Sequence, residues 1–72
     1  MQKLSPEYVN ELNYTLYRND FMFALDLALK FNKEQSYIAA VYCRKIGNDD
    51  MANVFLVRWW QSFEEAEKYL EN

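Results

Sequence analysis

The sequence predicts an all-α fold, a compact bundle of four to five short helices arranged as two antiparallel αα-hairpins. Three observations predict it. Apolar residues recur at helical spacing along most of the chain. Residues that start and stop helices punctuate it at short intervals. One glycine and one proline among 72 residues are too few for the many tight turns of a β-rich chain. The length predicts a single domain, residues 1–72.

The punctuation predicts each helix in turn. Ser5-Pro6 is an N-cap followed by proline at the first helical position, where its missing N–H costs nothing. It opens a helix over about 6–18. Asn19-Asp20 caps the next, over about 21–31. Asn32, with Gln35 placed to reach back, forms a capping box for a third, over about 33–46. Gly47 suits the left-handed position that ends it. Asn48-Asp49 caps a fourth, over about 50–61. Ser62 and Glu65 form a second capping box for a fifth, over about 63–71, separate from the fourth or continuing it with a kink. Connections this short predict that neighbouring helices fold back on each other.

The faces of these helices differ. The first has an ordinary stripe: Tyr8, Val9, Leu12, Leu16. The second, FMFALDLALKF, is apolar nearly all round, interrupted by Asp26 and Lys30, a pair four residues apart on one face. Such a helix is expected in the middle of the bundle. The third is two-sided, with Ala39, Tyr42, Cys43 and Ile46 on a side expected to pack. The fourth centres its arc on Ala52, Phe55, Leu56 and Trp59. Adjacent residues of a helix point about 100° apart. Trp59 is therefore expected in the core, and Trp60 at its edge with Asn53 and Val57.

A repeat with a period of 29 runs through the chain: Tyr8, Asn19, Asp20, Met22 and Leu27 fall on Tyr37, Asn48, Asp49, Met51 and Leu56. Under it the packed side of the third helix corresponds to Asn10, Asn13, Tyr14 and Tyr17 of the first. That side is expected to be an outer face. Tyrosine beside asparagine suits protein-binding surfaces, combining rigid contact area with adaptable hydrogen bonds. The stretch IGNDDMANVFL resembles the turn and second helix of a tetratricopeptide repeat through its Gly47 to Ala52 spacing. The likeness covers about a dozen residues, and the period is short for that family. It implies a helix–turn–helix and nothing of function.

Composition narrows the function classes. The formal net charge is −3, and 51% of residues are apolar, 18% aromatic. The acidic excess lies in the tail, where Glu64, Glu65, Glu67 and Glu71 face Lys68. The neutral body offers no broad basic field to phosphates. There is one cysteine and no histidine, which excludes an internal disulfide and disfavours a zinc site. No cofactor is expected. Cys43 has no histidine to activate it and is expected to be a buried thiol. Asp49, Asp50, Glu64 and Glu65 sit in first turns, where the helix dipole accounts for them. No phosphate-binding loop surrounds Gly47. The expectation is therefore no enzyme, and no stretch reads as a signal peptide or membrane span. The chain reads as cytoplasmic, with a reduced thiol.

The remaining expectation is protein binding, by an excess of large side chains over what a small core takes. The candidate residues are Asn10, Asn13, Tyr14, Tyr17, Phe23, Val57 and Trp60. The expected role is stoichiometric inhibition or modulation of a partner protein, or association with itself as a homodimer. Size and composition resemble small modulators made by phage and mobile elements. Two alternatives stand: a structural subunit of a larger assembly, and weak nucleic-acid binding through Arg44, Lys45, Arg58 and Trp60.

Overall fold

A computed structural model describes residues 4–71. It comprises five helices: α1 (Pro6–Arg18), α2 (Phe21–Lys30), α3 (Lys33–Lys45), α4 (Asp49–Leu56) and α5 (Phe63–Glu71). No strand occurs among the described residues.

The caps form where the sequence predicts. Ser5 Oγ accepts from the Tyr8 N–H at 3.3 Å. Asp20 Oδ1 accepts from the Met22 and Phe23 N–H groups at 3.0 and 3.3 Å. Asn32 and Gln35 exchange the two bonds of a capping box, at 2.8 and 3.1 Å. Asn48 Oδ1 accepts from Met51 N–H at 3.1 Å. Each satisfies a helix-end donor that would otherwise lack a partner. Ser62 Oγ caps Glu65 N–H at 3.1 Å, but the Glu65 carboxylate accepts from Gln61 N–H, one residue earlier than in a standard box. Gly47 has φ +86° and ends α3. Its N–H donates to Arg44 O, and that of Asn48 donates to Cys43 O, the paired bonds of a Schellman motif.

The fourth helix is shorter than predicted, ending at Leu56 instead of about 61. Trp59 and Trp60 N–H both donate to Leu56 O, at 3.0 and 2.8 Å, so the chain tightens into a turn. The turn reverses the two tryptophans. Trp60 is 5% exposed and belongs to the core, whereas Trp59 is only partly buried against it. Trp60 lies edge-on to Tyr37 and Tyr69, with ring centroids at 6.0 and 5.9 Å. No glycine or proline marks this break. Burial of Trp60 beneath α5 accompanies it.

Phe55, Met51, Leu12 and Cys43 lie at the centre of the core. α3 packs most extensively on α4, α2 packs on α4, and α1 on α2. α4, which packs on both α2 and α3, buries Met51, Ala52, Phe55 and Leu56. α2 packs between α1 and α4 but is not covered all round: it buries Ala24, Leu27 and Ala28, while Phe21, Met22, Phe23, Leu25 and Leu29 are exposed. Apolar residues surround α2, but its neighbours cover only one side of it. The side of α3 expected to pack is also split: Ala39 and Cys43 are buried, Tyr42 and Ile46 exposed. Tyr42 Oη instead donates to Asn13 Oδ1 of α1 at 3.2 Å. Tyr37, on a flank of α3 about 140° from Tyr42, meets α5 through Phe63 at 6.5 Å.

The two halves of the chain correspond at an offset of 28, one less than the sequence suggests. The positive-φ residues Asn19 and Gly47 are 28 positions apart, as are the caps Asp20 and Asn48. The buried residues follow: Leu12, Thr15, Ala24, Leu27 and Ala28 fall on Ala40, Cys43, Ala52, Phe55 and Leu56, all buried. The correspondence covers the turn, the second helix and the end of the first. The caps Ser5 and Asn32 lie outside it, because α3 starts one residue early. Three hydrogen bonds join the halves, and each spans 29 positions: Tyr42 to Asn13, Asn48 to Asn19, and Arg58 to Leu29 O. Twenty-nine is therefore the spacing of these contacts, and 28 the spacing of equivalent positions.

Candidate functional site

An open groove of about 680 Å³ lies between α1 and α2. Asn10, Glu11 and Tyr14 form one wall; Phe23, Asp26 and Lys30 form the other. Thr15 and Leu27, both buried, lie at its base. The sequence builds this locally. Thr15 Oγ1 donates to Glu11 O at 2.8 Å, so the hydroxyl is satisfied without leaving the helix. Asp20 caps the Phe23 N–H and so fixes the first turn of α2, while its own backbone N–H donates to Thr15 O in α1 at 3.4 Å. Tyr14 and Phe23 then meet edge to face, centroids 5.9 Å apart, a favoured aromatic geometry.

The Tyr14 hydroxyl accepts from Arg18 Nη1 at 3.1 Å, and its own proton has no acceptor among the described residues. Lys30 Nζ lies 3.8 Å from Glu11 Oε1. This replaces the Asp26–Lys30 pair expected from sequence. Asp26 is exposed and has no ionic partner among the described residues. The groove thus has aromatic walls, two carboxylates and one ammonium group.

Of the predicted binding residues, Asn10, Tyr14 and Phe23 come together here. Asn13 does not join them, because it leaves α1 toward α3 and accepts from Tyr42. Tyr17 is 89% exposed and lines no part of the groove. Val57 is 69% exposed in the turn after α4. Its neighbour Arg58 donates to Leu29 O at 3.0 Å, so this turn abuts the C-terminal end of α2. Trp60 must be removed from the set, since its ring is enclosed by Tyr37 and Tyr69. Glu11 also lines the groove and is not among the predicted residues. Met22, Leu25 and Leu29 are exposed elsewhere on α2, and its apolar girdle is the sequence signal for them.

Two of the three basic residues of the nucleic-acid alternative, Arg44 and Arg58, lie over rings. The Arg44 guanidinium lies 4.4 Å from the centroid of Phe63, and that of Arg58 lies 4.6 Å from that of Trp59. The opposite end of the molecule is covered by α5, with smaller grooves of about 580 and 460 Å³ left beside Phe63 and Glu67. Lys33, Tyr37, Phe63 and Tyr69 seal α5 onto α3, and α5 turns Glu64, Glu65, Glu67 and Glu71 outward. Burial, then Glu67 and Glu71, push the Tyr37 phenol above its ordinary range, with Arg44 partly offsetting them. Burial pushes the Cys43 thiol up to about 12.

Among the described residues, no group of three or more histidine, cysteine, aspartate or glutamate side chains is placed to hold a metal ion. No helix there is long and apolar enough to cross a membrane. No family model matches the chain, and no curated protein or solved structure is significantly similar to it.

Proposed function

We propose that the chain is a non-enzymatic protein-binding module that covers a surface of a partner and so inhibits or modulates it. In this reading α1–α2 and α3–α4 are two antiparallel hairpins stacked side by side, with α5 closing the far end. The short connections, the packing of α1 on α2 and α3 on α4, and the common offset of 28 support that arrangement. The observation that carries the function is the asymmetry of the two ends. One end is finished with an acidic helix. The other leaves Phe23 at 48% exposure in an aromatic groove, with Met22 and Leu29 exposed about 100° further round α2. Contiguous apolar surface rimmed by polar groups marks interaction sites, and a few aromatics supply most of the binding energy.

The test is photo-crosslinking in cells that naturally carry the chain. A photoreactive phenylalanine analogue replaces Phe23, Leu29 or, as a control, the exposed Lys45 of α3. Melts by circular dichroism confirm that each variant folds. The reading expects discrete adducts with another protein from positions 23 and 29 and none from 45. Adducts from 45 alone, or no adducts from any position, would sink it.

A further inference from the structure

We infer that the α1/α2 groove is the vacant stacking face of a two-unit helical array. Its occupant is an amphipathic helix of a partner protein that carries a basic residue and seats its C-terminal end at Lys30. The inference rests on the protein-binding reading above and names the chemistry of the partner. At the offset of 28, Glu11, Thr15, Phe23 and Leu27 of the groove fall on Ala39, Cys43, Met51 and Phe55. Those four counterparts are each 0% exposed. They are buried in the interior that the second half shares with the first, where α2 packs on α4 and Phe31 meets Phe55 at 5.7 Å. The first half has the equivalent face: Thr15 and Leu27 at its base are buried, but Phe23 is 48% exposed, and among the described residues nothing outside α1 and α2 lines it.

The donors correspond as well. Of the three side chains of the second half that donate to the first, two are a phenol and a base: Tyr42 donates to Asn13 at 3.2 Å, and Arg58 to the Leu29 carbonyl in the last turn of α2 at 3.0 Å. Their counterparts are Tyr14 and Lys30, a phenol and a base, both at the groove. The Tyr14 proton has no acceptor among the described residues, and Lys30 is held only by a 3.8 Å pair to Glu11. An occupant related to α2 as α2 is to α4 therefore brings its C-terminal carbonyls to Lys30, where the helix dipole favours a cation.

The differences between the halves define the partner's charge. Glu11 and Asp26 stand where the second half has Ala39 and Val54. Lys30 pairs with Glu11, so the unpaired charge of the groove lining is the carboxylate of Asp26, which complements an apolar helix face with a lysine or arginine at its flank. A further copy of this chain stacked head to tail would instead bring the glutamates of α5 against Glu11 and Asp26, and like charges in contact disfavour it.

The test uses the full chain and three synthetic amphipathic helices of about five turns, with leucine on one face and lysine, glutamine or glutamate along its flanks. Binding is read by fluorescence anisotropy at low salt. The lysine helix is expected to bind at least tenfold more tightly than the glutamate helix. Asp26→Asn and Phe23→Ser are each expected to weaken it at least fivefold, and Glu64→Gln with Glu67→Gln to leave it unchanged. A spin label at the C-terminal end of the lysine helix is expected to broaden amide signals around Lys30. Equal affinity for the lysine and glutamate helices would overturn the inference, as would indifference to Asp26→Asn and Phe23→Ser, or broadening around Phe23 instead. So would sedimentation showing a dimer of the chain alone that Phe23→Ser dissociates. If the lysine helix fails while crosslinks at position 23 still capture a partner, the protein-binding reading stands and only the helical, basic occupant is lost. If crosslinking fails too, both are lost.

Discussion

Trp60→Ala is expected to bring this domain to the edge of unfolding. The ring is 5% exposed and lies between Tyr37 of α3 and Tyr69 of α5, so it joins the last helix to the body. Truncating a buried aromatic costs about 3–5 kcal/mol, because the contacts are lost and the cavity closes only partly. A domain of 72 residues has a total stability on the order of 4–11 kcal/mol. The loss is therefore a large fraction of the whole. Trp59→Ala is expected to cost about 1–2 kcal/mol, since that ring is only partly buried. Its cation contacts, Arg58 at 4.6 Å and Lys33 at 5.7 Å, are with exposed groups and add little. Trp59→Phe is expected to be milder still. Trp59 Nε1 is enclosed without a hydrogen-bond partner, so its removal offsets part of the lost area. The assay is urea unfolding followed by far-ultraviolet circular dichroism, which does not depend on the tryptophans. A Trp60→Ala midpoint equal to that of Trp59→Ala would refute the placement of the two rings and of the turn between them.

Two further outcomes follow from the core. Ser36 is fully buried in α3 and its Oγ has no hydrogen-bond partner. Ser36→Ala is expected to raise the stability by about 0.5–1 kcal/mol, through relief of that hydroxyl and better helix propensity; a lower midpoint in urea would contradict it. The Cys43 thiol, held protonated by burial up to about 12, gives a pH dependence of known sign. Above about pH 8.5 an unfolded chain loses this proton and the folded chain keeps it, so stability falls as pH rises from there toward 12. Cys43→Ala is expected to lower stability at neutral pH and to flatten that alkaline decline, measured by urea unfolding at several pH values. An unchanged alkaline slope would contradict it.

The caps were legible because they are local. Ser5-Pro6, Asp20, the Asn32–Gln35 box and Asn48 act within a few residues of themselves, whatever lies elsewhere in the chain. Gly47 was legible for the same reason, since its φ of +86° is a property of the backbone at one position. Asn10, Tyr14 and Phe23 were legible as surplus amphipathic side chains, and the structure gathers them in one groove. The class of the fold was therefore in the sequence, along with the position of most helix ends and a good part of the exposed aromatic set.

What the sequence left open depended on neighbours. An all-round apolar helix can be central, or covered on one side only, and periodicity cannot distinguish the two. Only the packing of α2 against α1 and α4 exposes Met22, Leu25 and Leu29. The two tryptophans exchanged roles because a turn without glycine or proline ended α4 at Leu56, and the burial that accompanies that turn is made with Tyr37 and Tyr69, distant in sequence. Asn13 left the outer face for a phenol 29 residues away. Local chemistry determined where the helices begin and end. Which face each helix conceals was decided by the other helices, because burial is a property of the assembled chain and not of a segment.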